Sequence, residues 1–205
     1  YKPAKIAKLA SNENRLGCSP KVKEAILLAM DNIQDYPDPI ARKLKAVIAK
    51  KNKVSEDRVI LTAGSESLIS MLCRTFFLNK QNAVTADATF VGFFVHAGVR
   101  GIQLKKIPVT KDYKFDVKAI GNAIDEQTKM VYIANPNNPT GTYINKKEYE
   151  WMMEQIPKNV LVVADEAYYE FAQHIEDYPK ALDYNHDNVI VLRTFSKAYG
   201  LAGFR

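Results

Sequence analysis

Four short runs of the chain are apolar on both faces: Val59-Ile60-Leu61, Met130-Val131-Tyr132-Ile133, Val160-Leu161-Val162-Val163 and Val189-Ile190-Val191-Leu192. A strand that does not alternate polar with apolar residues is covered on both sides, as in a parallel sheet flanked by helices. Segments of helical period surround these runs. Ser19-Pro20 opens a predicted helix in which Val22, Ile26, Ala29, Met30 and Ile33 share a face, with proline suited to the first helical position. Asp38-Pro39 repeats the device, and Ile40, Leu44, Val47 and Ile48 form the predicted buried stripe. Asn145 with Glu148 has capping-box spacing ahead of Tyr149, Met152 and Ile156. Asp116 is expected to cap another helix, with Phe115 stapled onto Ile120. The fold class read from this pattern is α/β, a mainly parallel sheet with helices on its faces.

Composition narrows the function classes. Of 205 residues, 47% are hydrophobic and 25% charged, which fits a globular chain and excludes disorder. The longest clean apolar run, Val160 to Ala164, is strand-sized, far short of the ~18 residues a membrane span needs. Cys18 and Cys73 are far apart, with no CxxC and no histidine at metal-site spacing, so no disulfide framework and a reducing cytoplasm are expected. The net charge is +6, but lysines such as Lys21, Lys43, Lys50, Lys51, Lys105 and Lys146 are scattered. That distribution reads as solvated helix faces, not as a nucleic-acid stripe. The opening residues, Tyr1-Lys2-Pro3-Ala4-Lys5, lack the apolar core of a signal peptide.

In open α/β sheets, ligands bind outside the carboxyl ends of the strands. Each apolar run leads there into polar residues: Thr62-Ala63-Gly64-Ser65-Glu66, Asn135-Pro136-Asn137-Asn138-Pro139-Thr140-Gly141, Asp165-Glu166-Ala167-Tyr168 and Arg193-Thr194-Phe195-Ser196-Lys197. Four strand ends are thus expected to deliver polar groups to one edge.

Each group also has a plainer reading. Gly64-Ser65 opens a helix with an apolar face of Leu68, Ile69, Leu72 and Phe76; its amides suit an anion, although serine is equally an ordinary cap. The glycines form neither GxGxxG nor a Walker loop, which argues against a dinucleotide or a nucleoside triphosphate. Asp165 ends an all-apolar strand, where a carboxylate is costly unless a cation meets it. It reads as a helix cap, a structural ion pair, or the partner of a protonated ring nitrogen. The loop 135–141 is turn chemistry in which two prolines lock an amide at a strand end. Lys197 is either a surface lysine or, with Thr194 and Ser196 before it, a Schiff-base lysine. Arg205, after Gly200 and Gly203, is placed to neutralise a phosphate.

Asn-Pro-Thr-Gly at 138–141, Asp165-x-x-Tyr168, and Ser196-Lys197 with Arg205 eight residues on resemble the fold-type-I aminotransferases, in order over most of the chain. Within that family the histidinol-phosphate aminotransferase branch is the most similar, through Ala10-Ser11-Asn12-Glu13-Asn14, Tyr36-Pro37-Asp38-Pro39, the 164–171 stretch and the 193–205 stretch. The resemblance implies pyridoxal 5'-phosphate as cofactor, with Lys197 carrying it and shuttling the proton. It implies that Asp165 keeps the pyridine nitrogen protonated, so that the ring acts as an electron sink. Asn138 and Tyr168 are implied to meet the phenolic oxygen, and Phe90 to stack on the ring. Ser65, the backbone at Glu66, Thr194, Ser196 and Arg205 are implied to hold the phosphate, and Tyr36 the phosphate of a partner subunit. Two positions depart from the branch: Ala88-Thr89-Phe90 where it commonly has Pro-Thr-Tyr, and Glu66 where it commonly has Asp.

The implied activity is transamination of histidinol phosphate with 2-oxoglutarate in histidine biosynthesis, by a cytoplasmic homodimer that engages neither nucleic acid nor membrane. Residues 1–35 are expected to belong partly to a small domain, and 36–205 to the cofactor-binding large domain. The family pattern continues past Arg205 into more sheet and a small C-terminal domain. An aromatic aminotransferase, an L-threonine-phosphate decarboxylase and a non-catalytic pyridoxal-phosphate-binding regulatory module are the alternative readings. The decarboxylase would share nearly every cofactor residue, and no helix-turn-helix precedes the α/β region.

Overall fold

The structure, a computed structural model, describes residues 7–78 and 80–205. The opening segment Tyr1–Lys5 lies outside the described residues. The chain divides into two compact units, one made of residues up to Leu61 with Thr194–Arg205, the other of Thr62–Arg193.

The first unit holds α1 (Pro20–Ala29) and α2 (Arg42–Asn52). Proline does sit at the first position of α1. Helix α2 begins three residues after Pro39, and the Asp38 carboxylate accepts from the Ile40 and Arg42 amides. The expected buried stripe is not buried in the structure. Ile40, Leu44 and Val47 are exposed, Ile48 is half-buried, and Ala49 is the buried residue of α2. No residue of α1 is buried. The apolar residues keep a helical period, but the face they create is not covered by the described residues of this unit.

The second unit contains, in order, α3 (Ser65–Thr75), β1 (Asn82–Ala86), α4 (Val91–Val99), β2 (Gln103–Ile107), α5 (Val117–Asn122), β3 (Thr128–Ala134), α6 (Lys146–Gln155), β4 (Leu161–Asp165), the four-residue α7 (Tyr169–Ala172) and β5 (Val189–Leu192). The five strands are all parallel, in the order β2-β1-β3-β4-β5. Side chains alternate across the pleat and are apolar on both sides. Met130, Tyr132 and Ala134 of β3 pack with Ile69, Leu72, Phe93 and Ala97 from α3 and α4. Val131 and Ile133 pack on the other face with Ile120, Tyr149 and Met152 from α5 and α6. Both predicted caps are present. Asp116 accepts from the Ala119 amide at 2.9 Å, and Asn145 and Glu148 form the reciprocal capping box.

Three of the four apolar runs became strands, and the fourth is a correction. Val59-Ile60-Leu61 has no ladder partner among the described residues, and Ile60 is 65% exposed. A run of three residues between a 3-10 turn and Gly64 is too short to bury both faces. The strands not foreseen are β1 and β2. Edge strand β2 carries Lys105 and Lys106, charges that suit an unpaired sheet edge.

Candidate functional site

The strand order reverses at β1, with β2 on one side and β3 on the other, so the loops leaving β1 and β3 diverge over a switch point. Side chains tie these loops together. The Thr89 hydroxyl donates to Asn137 Oδ1 at 2.9 Å, and Asn137 Nδ2 donates to the Ala88 carbonyl and to Thr140 Oγ1, both at 2.8 Å. Asn137 is buried, and Asn138 beside it is half-buried. Phe90 is half-buried and immediately precedes α4.

Next along the edge, β3 and β4 stay in register to their ends, pairing Ala134 with Asp165, and the Asn135 amide donates to the Asp165 carbonyl. Asp165 is 4% exposed at the carboxyl end of β4. Its Oδ1 accepts from the Ala167 amide at 3.1 Å and its Oδ2 from the Tyr132 hydroxyl at 2.5 Å. Tyr168 follows, half-buried, with its ring 6.4 Å from that of Phe171.

At the start of α3, Gly64 adopts φ 89°, a left-handed conformation that favours glycine, and Ser65 is the first helical residue. Four amides at such a helix start lack helical partners, which makes it suited to an anion. Glu66 sits in that first turn with its side chain 57% exposed, 3.5 Å from His96 Nε2 on α4. The Glu66 side chain thus lies beside His96, while its amide belongs to the first turn of α3.

The other predicted residues belong to the first unit. Thr194 Oγ1 donates to Ser196 Oγ at 3.0 Å and accepts from the Ser196 amide, while Arg205 Nη1 donates to Ser196 Oγ at 2.8 Å. Two hydroxyls and a guanidinium thus gather in one loop, a donor set that suits a dianion. Lys197 Nζ donates to the Ser11 carbonyl at 2.8 Å. The Ala198 carbonyl accepts from Asn14, and Lys51 Nζ donates to the Tyr199 hydroxyl. Gly200, at φ 69°, lies so close to Gly17 that a Cβ would stand 2.5 Å from that residue's carbonyl carbon and oxygen. Only glycine fits there. Tyr36, on the same unit, is fully exposed.

Residues 4–205 match the family described as aminotransferase class I and II. The chain belongs to that family. It is similar to the histidinol-phosphate aminotransferase of Geobacillus sp. (strain WCH70), 46% identical over 202 residues, a match covering 98% of this chain and 55% of the relative. The enzyme of the same description from Bacillus subtilis (strain 168) is 43% identical over 203 residues, covering 98% and 56%. Among solved structures, the histidinol-phosphate aminotransferase of Sinorhizobium meliloti in complex with pyridoxal-5'-phosphate superposes with a TM-score of 0.88 at 31% identity, over 94% of this chain and 52% of that one. The chain spans about half the length of the relatives it matches.

In this aminotransferase-family chain the structure adds groups that the sequence did not single out. Tyr132 is one: a hydroxyl within an apolar run reads as one more core aromatic. Thr89 and Asn137 are others, each next in sequence to a candidate residue, Phe90 and Asn138. The remaining pair is Glu166 and Arg193, whose side chains bond between the ends of β4 and β5 at 2.7 and 3.0 Å. Burial pushes the Glu166 carboxyl above its ordinary value, opposed by the Arg193 charge and the Ala181 amide. Among the described residues no cluster of histidine, cysteine or acidic side chains is arranged to hold a metal, and no helix is long and apolar enough to cross a membrane.

Proposed function

We propose that the whole protein is a pyridoxal-phosphate-dependent aminotransferase that moves the amino group of histidinol phosphate to 2-oxoglutarate in histidine biosynthesis. The observation that carries this is Asp165. A buried carboxylate at a strand end of a parallel sheet, in a chain of the aminotransferase family, is suited to a cationic ring nitrogen. The residues fit the cofactor's chemistry, with a buried carboxylate for the ring, hydroxyls and an arginine for the phosphate, and an amine to attach it. When bound, pyridoxal phosphate supplies an electron sink that stabilises negative charge at the substrate α-carbon.

The chain's own residues do the rest. Lys197 would hold the cofactor through its amine and serve as the proton carrier for the α-carbon. Asp165 would keep the ring nitrogen protonated. Asn138 and Tyr168 would meet the phenolic oxygen, and Phe90 would supply an apolar ring for stacking. Ser65, the Glu66 amide, Thr194, Ser196 and Arg205 hold the phosphate. Tyr36, fully exposed and followed by the rigid Pro37-Asp38-Pro39, reaches the phosphate of a partner in a homodimer. The protein works in the cytoplasm on an amino donor and a 2-oxo acid, independent of nucleic acid and membrane. For the whole protein, residues 1–35 contribute partly to a small domain and 36–205 to the large one, a division separate from the packing units above.

Borohydride reduction of the full-length protein, followed by digestion and peptide mapping, tests the cofactor assignment. The label is expected on Lys197, and a label on another lysine overturns it. For the substrate, kcat/KM for histidinol phosphate is expected to exceed that for phenylalanine with 2-oxoglutarate as acceptor; the reverse order moves the protein to the aromatic aminotransferases.

A further inference from the structure

We infer that Tyr132 is a positioning residue for Asp165, holding its carboxylate in one orientation and in its charged form so that a proton shared with a ring nitrogen stays on the nitrogen. The inference rests on the pyridoxal phosphate reading above and names a residue that reading does not use.

The geometry is specific. Tyr132 is 0% exposed in the central strand β3, and its hydroxyl donates to Asp165 Oδ2 at 2.5 Å. Its ring is stacked on Phe93 of α4, centroids 4.3 Å apart and planes 7° from parallel. A fully buried phenol clamped between sheet and helix has little rotational freedom. The carboxylate it meets is equally fixed, since the Ala167 amide donates to Oδ1. A carboxylate offers about four acceptor positions, and these two bonds occupy one on each oxygen.

The chemistry follows from which form each bond favours. Donors to a carboxylate stabilise the anion and reduce its affinity for a proton. Burial of a carboxylate in general has the opposite effect, so a donor such as this phenol offsets part of the cost of desolvation. Burial also holds the Tyr132 hydroxyl well above its ordinary range, with the Asp165 charge adding to the effect, so the phenol keeps its proton and remains the donor. When Asp165 faces a ring nitrogen, carboxylate and nitrogen compete for one proton. The Tyr132 bond weakens the carboxylate in that competition and leaves the cation on the ring. Loss of the hydroxyl makes Asp165 more basic, and the proton moves toward it.

The test is ring-nitrogen NMR on the full-length protein reconstituted with ¹⁵N-labelled pyridoxal phosphate. Four proteins are compared: wild type, Tyr132→Phe, and proteins with 3-fluorotyrosine or 3,5-difluorotyrosine at position 132, whose phenols are progressively more acidic. The ¹⁵N shift is expected to move toward the neutral-pyridine value in Tyr132→Phe and further toward the pyridinium value along the fluorotyrosine series. In Tyr132→Phe, kcat is expected to fall about tenfold, the equivalent of one pK unit of lost differential interaction, with KM changed less than twofold. A merely structural role does not order the shift by phenol acidity. If wild type binds the cofactor and the four shifts coincide, the inference is overturned and the cofactor reading stands. Failure of the wild-type protein to bind pyridoxal phosphate overturns both.

Discussion

Arg193 donates from both Nε and Nη2 to a single oxygen of Glu166, Oε2, at 3.0 and 2.7 Å. The Glu166 side chain is 1% exposed and that of Arg193 22%; the guanidinium also lies 3.4 Å from the centroid of the Tyr169 ring. The other oxygen, Oε1, accepts from the Ala181 amide. The pair thus locks the residue after β4 to the residue after β5, immediately beside Asp165.

Breaking it from one side leaves a buried charge behind. Arg193→Ala is expected to cost about 3–5 kcal/mol of unfolding free energy, measured by urea titration. Arg193→Lys is expected to recover only part, because an ammonium cannot reproduce the two-pronged contact and the ring stacking. The double variant Glu166→Leu/Arg193→Met is expected to be more stable than Arg193→Ala, since neither charge remains alone. Additive losses in the double variant would show that the two residues act independently.

The capping box of α6 allows a cleaner measurement. Asn145 accepts from the Glu148 amide at 3.0 Å, and Glu148 accepts from the Asn145 amide at 2.6 Å. Asn145→Ala removes the first bond and is expected to lower stability by about 1 kcal/mol. Asn145→Ser, which keeps a capping oxygen, is expected to stay within a few tenths of wild type in the same urea titration.

Acid sensitivity has a named source at the amino end of the sheet. Asp125 accepts from Lys105, Asn82, Thr128 and the Gln127 amide. The Lys105 bond, followed by that of Asn82, holds its carboxyl well below the ordinary aspartate value of 3.8. A depressed folded-state value means that the stabilisation is present above 3.8 and is lost as pH falls from there toward the folded value. Asp125→Asn is therefore expected to melt below wild type at pH 7, with the gap narrowing as the pH drops below 3.8. A constant gap across that window would assign the stabilisation to geometry alone.

The two cysteines are expected to differ in reactivity. Cys73 is 1% exposed inside the α3 packing, and burial pushes its thiol up to about 11. At pH 7.5 it is then almost wholly the unreactive thiol. Cys18 is half-buried. Iodoacetamide on the native protein is expected to modify Cys18 and not Cys73, with Cys73 labelled only after unfolding, as read by peptide mass.

The parts of the fold legible in the sequence are those where residue type alone decides. Strands β3, β4 and β5 are unbroken apolar runs, and the caps at Asp116 and Asn145 have a fixed local spacing. Strand β1 was hidden because Asn82 and Thr85 are polar and its apolar residues are small. Thr85 is buried only because its hydroxyl finds the Tyr132 carbonyl across the ladder at 2.8 Å, a partner 47 positions away. At Val59–Leu61, and at Ile40, Leu44 and Val47, the sequence shows apolarity but not the surface that would have to cover it. Asp165 and Lys197 stood out because each follows an apolar run. Tyr132 did not, since it lies inside such a run and its importance depends on strand register.

The hydrogen bond between Thr89 and Asn137 carries a consequence for the order in which the protein is made. Its two ends are 48 positions apart, so a ribosome that has just delivered Thr89 must still add α4, β2, α5 and β3 before the partner amide exists. The carboxyl edge of the sheet therefore matures only after β1 and β3 have found each other. A nascent chain halted before Asn137 lacks the clasp that joins the two loops, however well its earlier helices have formed. The clasp itself is in that sense a late checkpoint on correct strand order.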